Sequence, residues 1–355
     1  MQKPITIPVE TKPPYNVLVG EGLLDSCGAR IAQLHRPCTV ALVADDRVDD
    51  LYGNRAAASL AAAGFTVLRY VFPQGEASKS LARLGGLLEF LAQNHLTRTD
   101  LLVALGGGVT GDLTGFAASV YLRGVDYVQL PTTLLAGVDS AVGGKTGVNL
   151  AAGKNLCGAF HQPILVLCDT AAFDTLPREV FADGMAEVVK YGMLCCRDML
   201  EQLAAGAPTR QQLPELVARC VEAKARLVAA DEQDNGQRQL LNLGHTLGHA
   251  IEKCSRLQIT HGQAVAIGMA IICRIADRQG WSDEPAAPLL CRVLEAQGLP
   301  TATSFNAAEL AAAALSDKKR RGGTITLVVP NSPGQCLLRD AAVEDLQSLI
   351  LCGLE

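Results

Sequence analysis

The chain has 355 residues, more than one hydrophobic core usually organises, so two domains are expected. Hydrophobic residues make up 49% and charged residues 19%, which supplies ample apolar surface for a packed interior and excludes a disordered chain. The net charge of -5 excludes a general basic face for nucleic acid or anionic lipid, so any anion site must be local.

In chain order, ITIPVE and YNVLVG read as a short antiparallel pair. The start of the chain has no apolar stretch behind a basic residue, and no window reaches the length needed to span a bilayer, which gives the expectation of a cytoplasmic protein. CTVALVAD (38–45), FTVLRYV (65–71), DLLVALGG (100–107), VDYVQLP (125–131) and ILVLCD (164–169) read as buried strands, and the Ala- and Leu-rich segments between them, such as RAAASLAAAG and SLARLGGLLEFLAQN, as helices. That rhythm predicts a mainly parallel, doubly wound, Rossmann-like sheet. After about Leu176 it changes: Pro177 opens a series of helical patterns, interrupted only by TITLVV (324–329), a turn, and CLLRD (336–340), which read as a late hairpin. Residues 1–176 are expected to form an α/β domain and residues 177–355 a mostly α-helical one, packed around a shared cleft. The twelve cysteines are scattered with no C-x-x-C pair and read as reduced thiols filling small core positions; adjacent Cys195 and Cys196 have no second thiol pair with which to hold zinc.

The strand at 101–105 runs into Gly106, Gly107, Gly108, Val109, Thr110, Gly111 and Asp112. Glycines there let backbone N–H groups approach a phosphate, and the following helix start favours negative charge; tight strand-to-helix turns also need glycine for steric reasons alone. The spacing G-G-G-x-x-G departs from the Rossmann G-x-G-x-x-G. Thr132 and Thr133 end the next strand, where their hydroxyls cap a helix or bond a cofactor. The segment 139–155, DSAVGGKTGVNLAAGKN, reads either as a surface loop or as an anion site, since Lys145 and Lys154 sit beside glycines at a sheet's carboxyl edge. In the helical half His245, His249 and His261 fall within seventeen residues, and the first two lie four apart on one helical face, a spacing that suits shared metal coordination or two buried histidines bonded to neighbours. Glu187 upstream favours the metal. Thr246 follows His245, so this is not the H-E-x-x-H protease helix.

Taken together, GGGVTGDLTGFAASVYLRG, QLPTTLLAGVDSAVGGKTGVN, AGKNLCGAF, GMAEVVKYG, LNLGHTLGHAIE, THGQAVAIGM and SDKK resemble the 3-dehydroquinate synthase family, collinearly from about Pro73 to Lys319. The resemblance implies an NAD-binding α/β domain fused to a helical metal- and substrate-binding domain, with NAD and Zn2+ as cofactors and Co2+ as a substitute metal. It implies Glu187, His245 and His261 as metal ligands, which separates His245 from His249. His249 then relays protons near the departing phosphate, with Lys190, Lys145, Arg238 and Asn155 as the other catalytic residues. NAD contacts are implied for Gly75, Glu76, Lys79, Gly107, Gly108, Val109, Thr110, Gly111, Asp112, Thr132, Thr133 and Asp139, for Lys145 and Lys154, and for Phe173 and Thr175. Substrate contacts are implied for Arg123, Lys145, Lys154, Asn155, Lys190, Lys224, Arg238 and Lys318 or Lys319, a cationic set that matches a carboxylate and a phosphate. Asp234 stands where the family often has glutamate. Gly158 and Phe160 read as packing.

The implied reaction converts 3-deoxy-D-arabino-heptulosonate 7-phosphate to 3-dehydroquinate and phosphate, a step of the shikimate route to chorismate and the aromatic amino acids. Transient oxidation by NAD, β-elimination, reduction and an intramolecular aldol closure follow one another, so the enzyme reads as a lyase: a phosphorus-oxygen lyase acting on a phosphate ester, within the carbon-oxygen class. A small-molecule substrate, a homodimer, and no nucleic-acid or membrane partner are expected. The rivals are another sugar-phosphate cyclase, a metal-dependent NAD alcohol or glycerol dehydrogenase, and a non-catalytic binding protein. Lys154, Asn155, the paired histidines and the carboxylate-binding cations argue against the first, and cofactor turnover separates the second.

Overall fold

The apolar runs at the centre of the first half form strands because they bury both faces under helices. In the computed structural model, which describes residues 3–256, 258–315, 320–321 and 323–355, the strands are β1 (Ile5–Val9), β2 (Tyr15–Gly20), β3 (Thr39–Asp45), β4 (Thr66–Phe72), β5 (Leu101–Gly106), β6 (Asp126–Pro131), β7 (Lys145–Leu150), β8 (Gly153–Phe160) and β9 (Leu165–Asp169). The main sheet has the order β1-β2-β9-β6-β5-β3-β4 and is parallel except for the β1–β2 pair. Successive side chains of a strand face opposite ways, so Leu101, Val103 and Leu105 join one buried layer with Leu42, Leu60 and Leu167, while Leu102 joins another with Val43, Leu87 and Phe116. The helix Asn54–Ala62 covers the first face; Leu81–Gln93 and Gly108–Val120 cover the second. Each fully buried Leu or Val in these layers contributes about 1.5–3 kcal/mol.

The chain divides into two compact units, Met1–Leu176 with Leu213–Gln233, and Pro177–Gln212 with Asp234–Glu355. The helix Leu213–Ala230, which falls in the helical half of the sequence, packs on β1, β2 and the segment Ala136–Ser140 of the first unit. The segment at 139–155 is neither a plain surface loop nor part of the main sheet. It forms the antiparallel β7–β8 hairpin, which pairs Thr146 with Ala159 and lies against Gly108–Val120. Gly158 is a packing position, since a Cβ there would sit 2.1 Å from the Thr146 oxygen, whereas Phe160 is 41% exposed. None of the twelve cysteines forms a disulfide; Cys27, Cys168, Cys220 and Cys273 fill core positions as expected, whereas the other eight are half-buried or exposed.

In the second unit, Pro177 is extended and precedes the helix Arg178–Cys195, as its fixed φ and missing donor favour. The helix His261–Arg278 is buried along most of its length and packs against Arg178–Cys195, His245–Cys254 and Leu346–Leu354. A late hairpin pairs Thr324–Ser332 with Gln335–Ala342, the expected position. Two glycines set how closely His245–Cys254 approaches His261–Arg278. Gly244 adopts a left-handed φ of +76, and a Cβ on Gly268 would lie 2.1 Å from the Gly244 oxygen.

Candidate active site

In the first unit, the parallel strands place their carboxyl ends on one edge, and most of the expected cofactor residues follow those ends. Gly75, Glu76 and Lys79 follow β4, Gly107 to Asp112 follow β5, Thr132, Thr133 and Asp139 follow β6, and Phe173 and Thr175 follow β9. The order of connection reverses between β3 and β5, the switch point where open α/β sheets bind ligands. The helix Gly108–Val120 starts there with extended Gly107 as its N-cap and no side-chain cap bond, so its first N–H groups face the edge. A Cβ on Gly111 would meet the Gln129 amide at 2.5 Å, so this glycine is needed for helix-on-strand packing as well. Thr133 does cap: its Oγ1 accepts from the Ala136 N–H at 3.2 Å.

Cationic and acidic residues of the two expected sets pair with one another. Lys79, 6% exposed, donates from Nζ to Asp112 Oδ2 and to Asn155 Oδ1, both at 2.5 Å. Burial raises the Asp112 carboxyl above its usual value despite the Lys79 charge. Lys224, equally buried, donates to the side chain and the backbone oxygen of Asp139, each at 2.6 Å. Lys145 opens β7 and Lys154 lies on β8, both exposed. Phe173 is buried, its ring close to Gly137, and Thr175 bonds the Tyr52 hydroxyl at 2.7 Å. Arg123 stands apart from the rest. It precedes β6, on the amino edge of the sheet, one full length of the helix Gly108–Val120 from Gly108, about 20 Å.

The second unit holds the histidines. His261 is the first residue of its helix, fixed by a capping box between Thr260 and Gln263 and by Asp183, which accepts from the Thr260 hydroxyl and from the Gln263 N–H at 3.3 Å. His245 is the first residue of the helix His245–Cys254. Both Nε2 atoms lie 3.4 Å from the same oxygen of Glu187, which is fully buried in Arg178–Cys195. The Lys190 ammonium, 1% exposed, is in ion-pair contact with the other oxygen. Neither carboxylate oxygen accepts a well-directed hydrogen bond. Burial disfavours the Glu187 charge, but Lys190 and His245 outweigh it and hold the carboxyl well below its usual value. One ligand atom each from Glu187, His245 and His261 lie within 4.8 Å of one another, a carboxylate and two imidazoles of the kind that closes on zinc or cobalt.

His249 lies one turn on, its ring edge-on to His245 at 5.6 Å, and forms a second group with Glu252 and His261. Glu252, 4% exposed, approaches His261 Nδ1 at 3.5 Å on the side away from Glu187. Sequence reasoning missed Glu252, although its position seven residues after His245 puts it on the same helical face. Arg238 is 1% exposed on the 3-10 turn Gln237–Asn242. Lys318 and Lys319 lie outside the described residues.

The family model described as 3-dehydroquinate synthase N-terminal matches residues 69–183, and the one described as 3-dehydroquinate synthase C-terminal matches residues 184–320. A curated 3-dehydroquinate synthase of Streptococcus suis is 42% identical over 339 residues, covering 94% of this chain and 96% of the relative. Among solved structures, a 2-deoxy-scyllo-inosose synthase complexed with carbaglucose-6-phosphate, NAD+ and Co2+ superposes with a TM-score of 0.88 at 26% identity, covering 98% of this chain and 99% of its own. ValA, a 2-epi-5-epi-valiolone synthase from Streptomyces hygroscopicus with NAD+ and Zn2+ bound, superposes at 0.85, also at 26% identity, covering 96% of each chain. Both halves of the chain match consecutive family models and the full-length relative stands far above the other cyclases in identity, so the chain belongs to the 3-dehydroquinate synthase family.

Proposed function

We infer that this chain converts 3-deoxy-D-arabino-heptulosonate 7-phosphate to 3-dehydroquinate and phosphate, with NAD+ and a zinc or cobalt ion as its cofactors. The observation that carries the reading is the convergence of His245 and His261 on one oxygen of buried Glu187. The two solved cyclases, bound to NAD+ with Co2+ or Zn2+, support the cofactors. The higher identity to 3-dehydroquinate synthases supports this substrate over those of the other cyclases.

Bound NAD+ supplies a hydride acceptor that later gives the hydride back, and a bound divalent metal supplies a Lewis acid for neighbouring substrate oxygens. Glu187, His245 and His261 would hold the metal, a three-ligand set of the kind that catalytic zinc sites use. The loop Gly107–Asp112 and Gly75, Glu76 and Lys79 would hold the nucleotide, and the uncapped helix start at Gly108 would supply N–H donors for its phosphates. Lys145, Lys154, Asn155, Lys190, Lys224 and Arg238 bind the carboxylate and phosphate, and His249 carries a proton on its ring to the departing phosphate. The bond broken in the elimination is carbon to oxygen, because phosphate leaves with its bridging oxygen. The activity is therefore that of a carbon-oxygen lyase and not of a phosphorus-oxygen one. We also propose a homodimer in the cytoplasm, which the family resemblance alone supports.

Phosphate release from the seven-carbon substrate, assayed with and without a chelator, tests the reading. Release that is abolished by chelation and restored by zinc or cobalt is expected; absence of release from the metal-loaded protein with NAD+ overturns it.

A further inference from the structure

We propose that Asn149 is a positioning residue that locks the cofactor loop after β4 to the β7–β8 hairpin, so that nucleotide and substrate meet one rigid frame. Three hydrogen bonds carry the idea. The Asn149 backbone N–H donates to the Lys79 oxygen at 2.9 Å, its Nδ2 donates to Glu76 Oε1 at 2.6 Å, and its Oδ1 accepts from the Asn155 N–H at 2.8 Å. Asn155 itself sits at a left-handed φ of +54, a conformation that asparagine tolerates better than most residues, and its side chain returns to Lys79 Nζ at 2.5 Å. Glu76, Lys79, Asn149 and Asn155 thus close a ring of contacts, joining segments about 70 residues apart in sequence.

Both ends of the Asn149 amide are used, and the partners fix its orientation, since a carboxylate only accepts and a backbone N–H only donates. An aspartate at 149 keeps the acceptor for Asn155 but turns a like charge toward Glu76; an alanine loses both bonds. The role rests on the reading that Glu76 and Lys79 hold NAD+ and that Asn155 holds the substrate.

Steady-state kinetics and NAD+ titrations of the full chain test it. Asn149→Ala is expected to raise KM for NAD+ and for the heptulosonate phosphate by about tenfold each, with kcat within about threefold of the parent, as lost hydrogen bonds to a charged partner imply. A merely structural loss would lower the active fraction, and so kcat, without raising both KM values. Asn149→Asp should be impaired at least as much, and combining it with Glu76→Gln should return both KM values to those of Glu76→Gln alone, because the new amide donates to the new carboxylate with reversed polarity. Failure of that rescue, or unchanged KM values in Asn149→Ala while Lys79→Ala weakens NAD+ binding, overturns the positioning role. Unchanged NAD+ affinity in Lys79→Ala instead overturns the cofactor reading on which it stands.

Discussion

His245 Nδ1 lies 3.1 Å from the backbone oxygen of Leu243, and because a carbonyl only accepts, that nitrogen carries the proton and Nε2 presents its lone pair toward Glu187. The tautomer a metal ligand needs is thus set by the backbone. Glu187→Ala, His245→Ala and His261→Ala should each be recovered without zinc, whereas His249→Ala should retain the metal and lose turnover by about 100-fold or more. Metal analysis of the purified variants checks this. A His249→Ala protein as zinc-free as His245→Ala would return His249 to the ligand set, where the group it forms with Glu252 and His261 already places donor atoms close together.

Glu187 and Lys190 are both buried and in ion-pair contact, so replacing the carboxylate takes away an anion that balances the Lys190 charge in a poorly solvated place. In the metal-free protein, Glu187→Leu should cost about 3–5 kcal/mol in urea unfolding, and Glu187→Leu with Lys190→Met should recover most of it. A double variant no more stable than the single one would mean that the loss came from shape and not from charge.

Metal uptake should depend on pH through His261. Burial opposes a charge on that ring, but the Glu187 and Glu252 carboxylates facing its two nitrogens outweigh it and raise its pKa to about 10, whereas burial pushes His245 down to about 4. The folded value of His261 lies above that of an unfolded histidine, about 6.5, so its proton stabilises the metal-free fold in full below that pH, and the gain is lost as pH rises toward 10. A metal must displace this proton. Zinc affinity should therefore climb with pH between 7 and 9, by up to about tenfold per unit, and His245 should add nothing to the slope. Calorimetry in buffers of different ionisation enthalpy should show about one proton released near neutrality; a flat affinity and no release would contradict it.

The approach of the two histidine helices depends on Gly268, where a Cβ would meet the Gly244 oxygen at 2.1 Å and the Gly248 nitrogen at 2.9 Å. Backbone on both sides leaves no side chain to swing away. Gly268→Ala should cost at least about 1–3 kcal/mol and weaken zinc binding, because it forces His245–Cys254 away from His261. Gly85→Ala is the control: it lies in the helix Leu81–Gln93, a Cβ there would meet nothing within 4 Å, and the change should be neutral or stabilising by up to about 1 kcal/mol.

The strands of the main sheet were legible to within a residue or two because each is an apolar run between turn residues; the expected burial holds for β3, β5, β6 and β9, whereas β4 lies at the sheet edge and buries only Phe72. The β7–β8 hairpin was not, since GGKTGVNLAAGKN offers only Thr146 and Val148 as strand formers and its pairing depends on packing against Gly108–Val120. The helix Leu213–Ala230 was legible as a helix, but an amphipathic period does not say which body its apolar stripe will meet. The bond from Lys224 to Asp139, 85 residues away in sequence, is what reveals its place. For the same reason the sequence placed Lys79 with the cofactor and Asn155 with the substrate, and gave no sign that the two side chains touch.

The fate of the cofactor divides the lyase from a dehydrogenase of similar architecture. In a net oxidation every turnover leaves one NADH, so product is capped by the nucleotide supplied. In the elimination and cyclisation the hydride removed from a substrate carbon must return to the same molecule before it leaves, so the nucleotide has to stay bound throughout, and one equivalent serves many turnovers. Buried Lys79, tied to both Asp112 and Asn155, joins the loop after β4 to the hairpin, and under the proposed reading that loop is the one that retains the nucleotide. With purified protein, the heptulosonate phosphate and sub-stoichiometric NAD+, phosphate should therefore appear in many equivalents over nucleotide while NADH absorbance shows no progressive rise. Lys79→Ala should let the nucleotide escape, so that phosphate production comes to depend on added NAD+ and slows as NADH is lost to solution. Steady NADH accumulation in the parent protein, with phosphate absent or limited to the NAD+ supplied, would overturn the synthase reading in favour of the dehydrogenase.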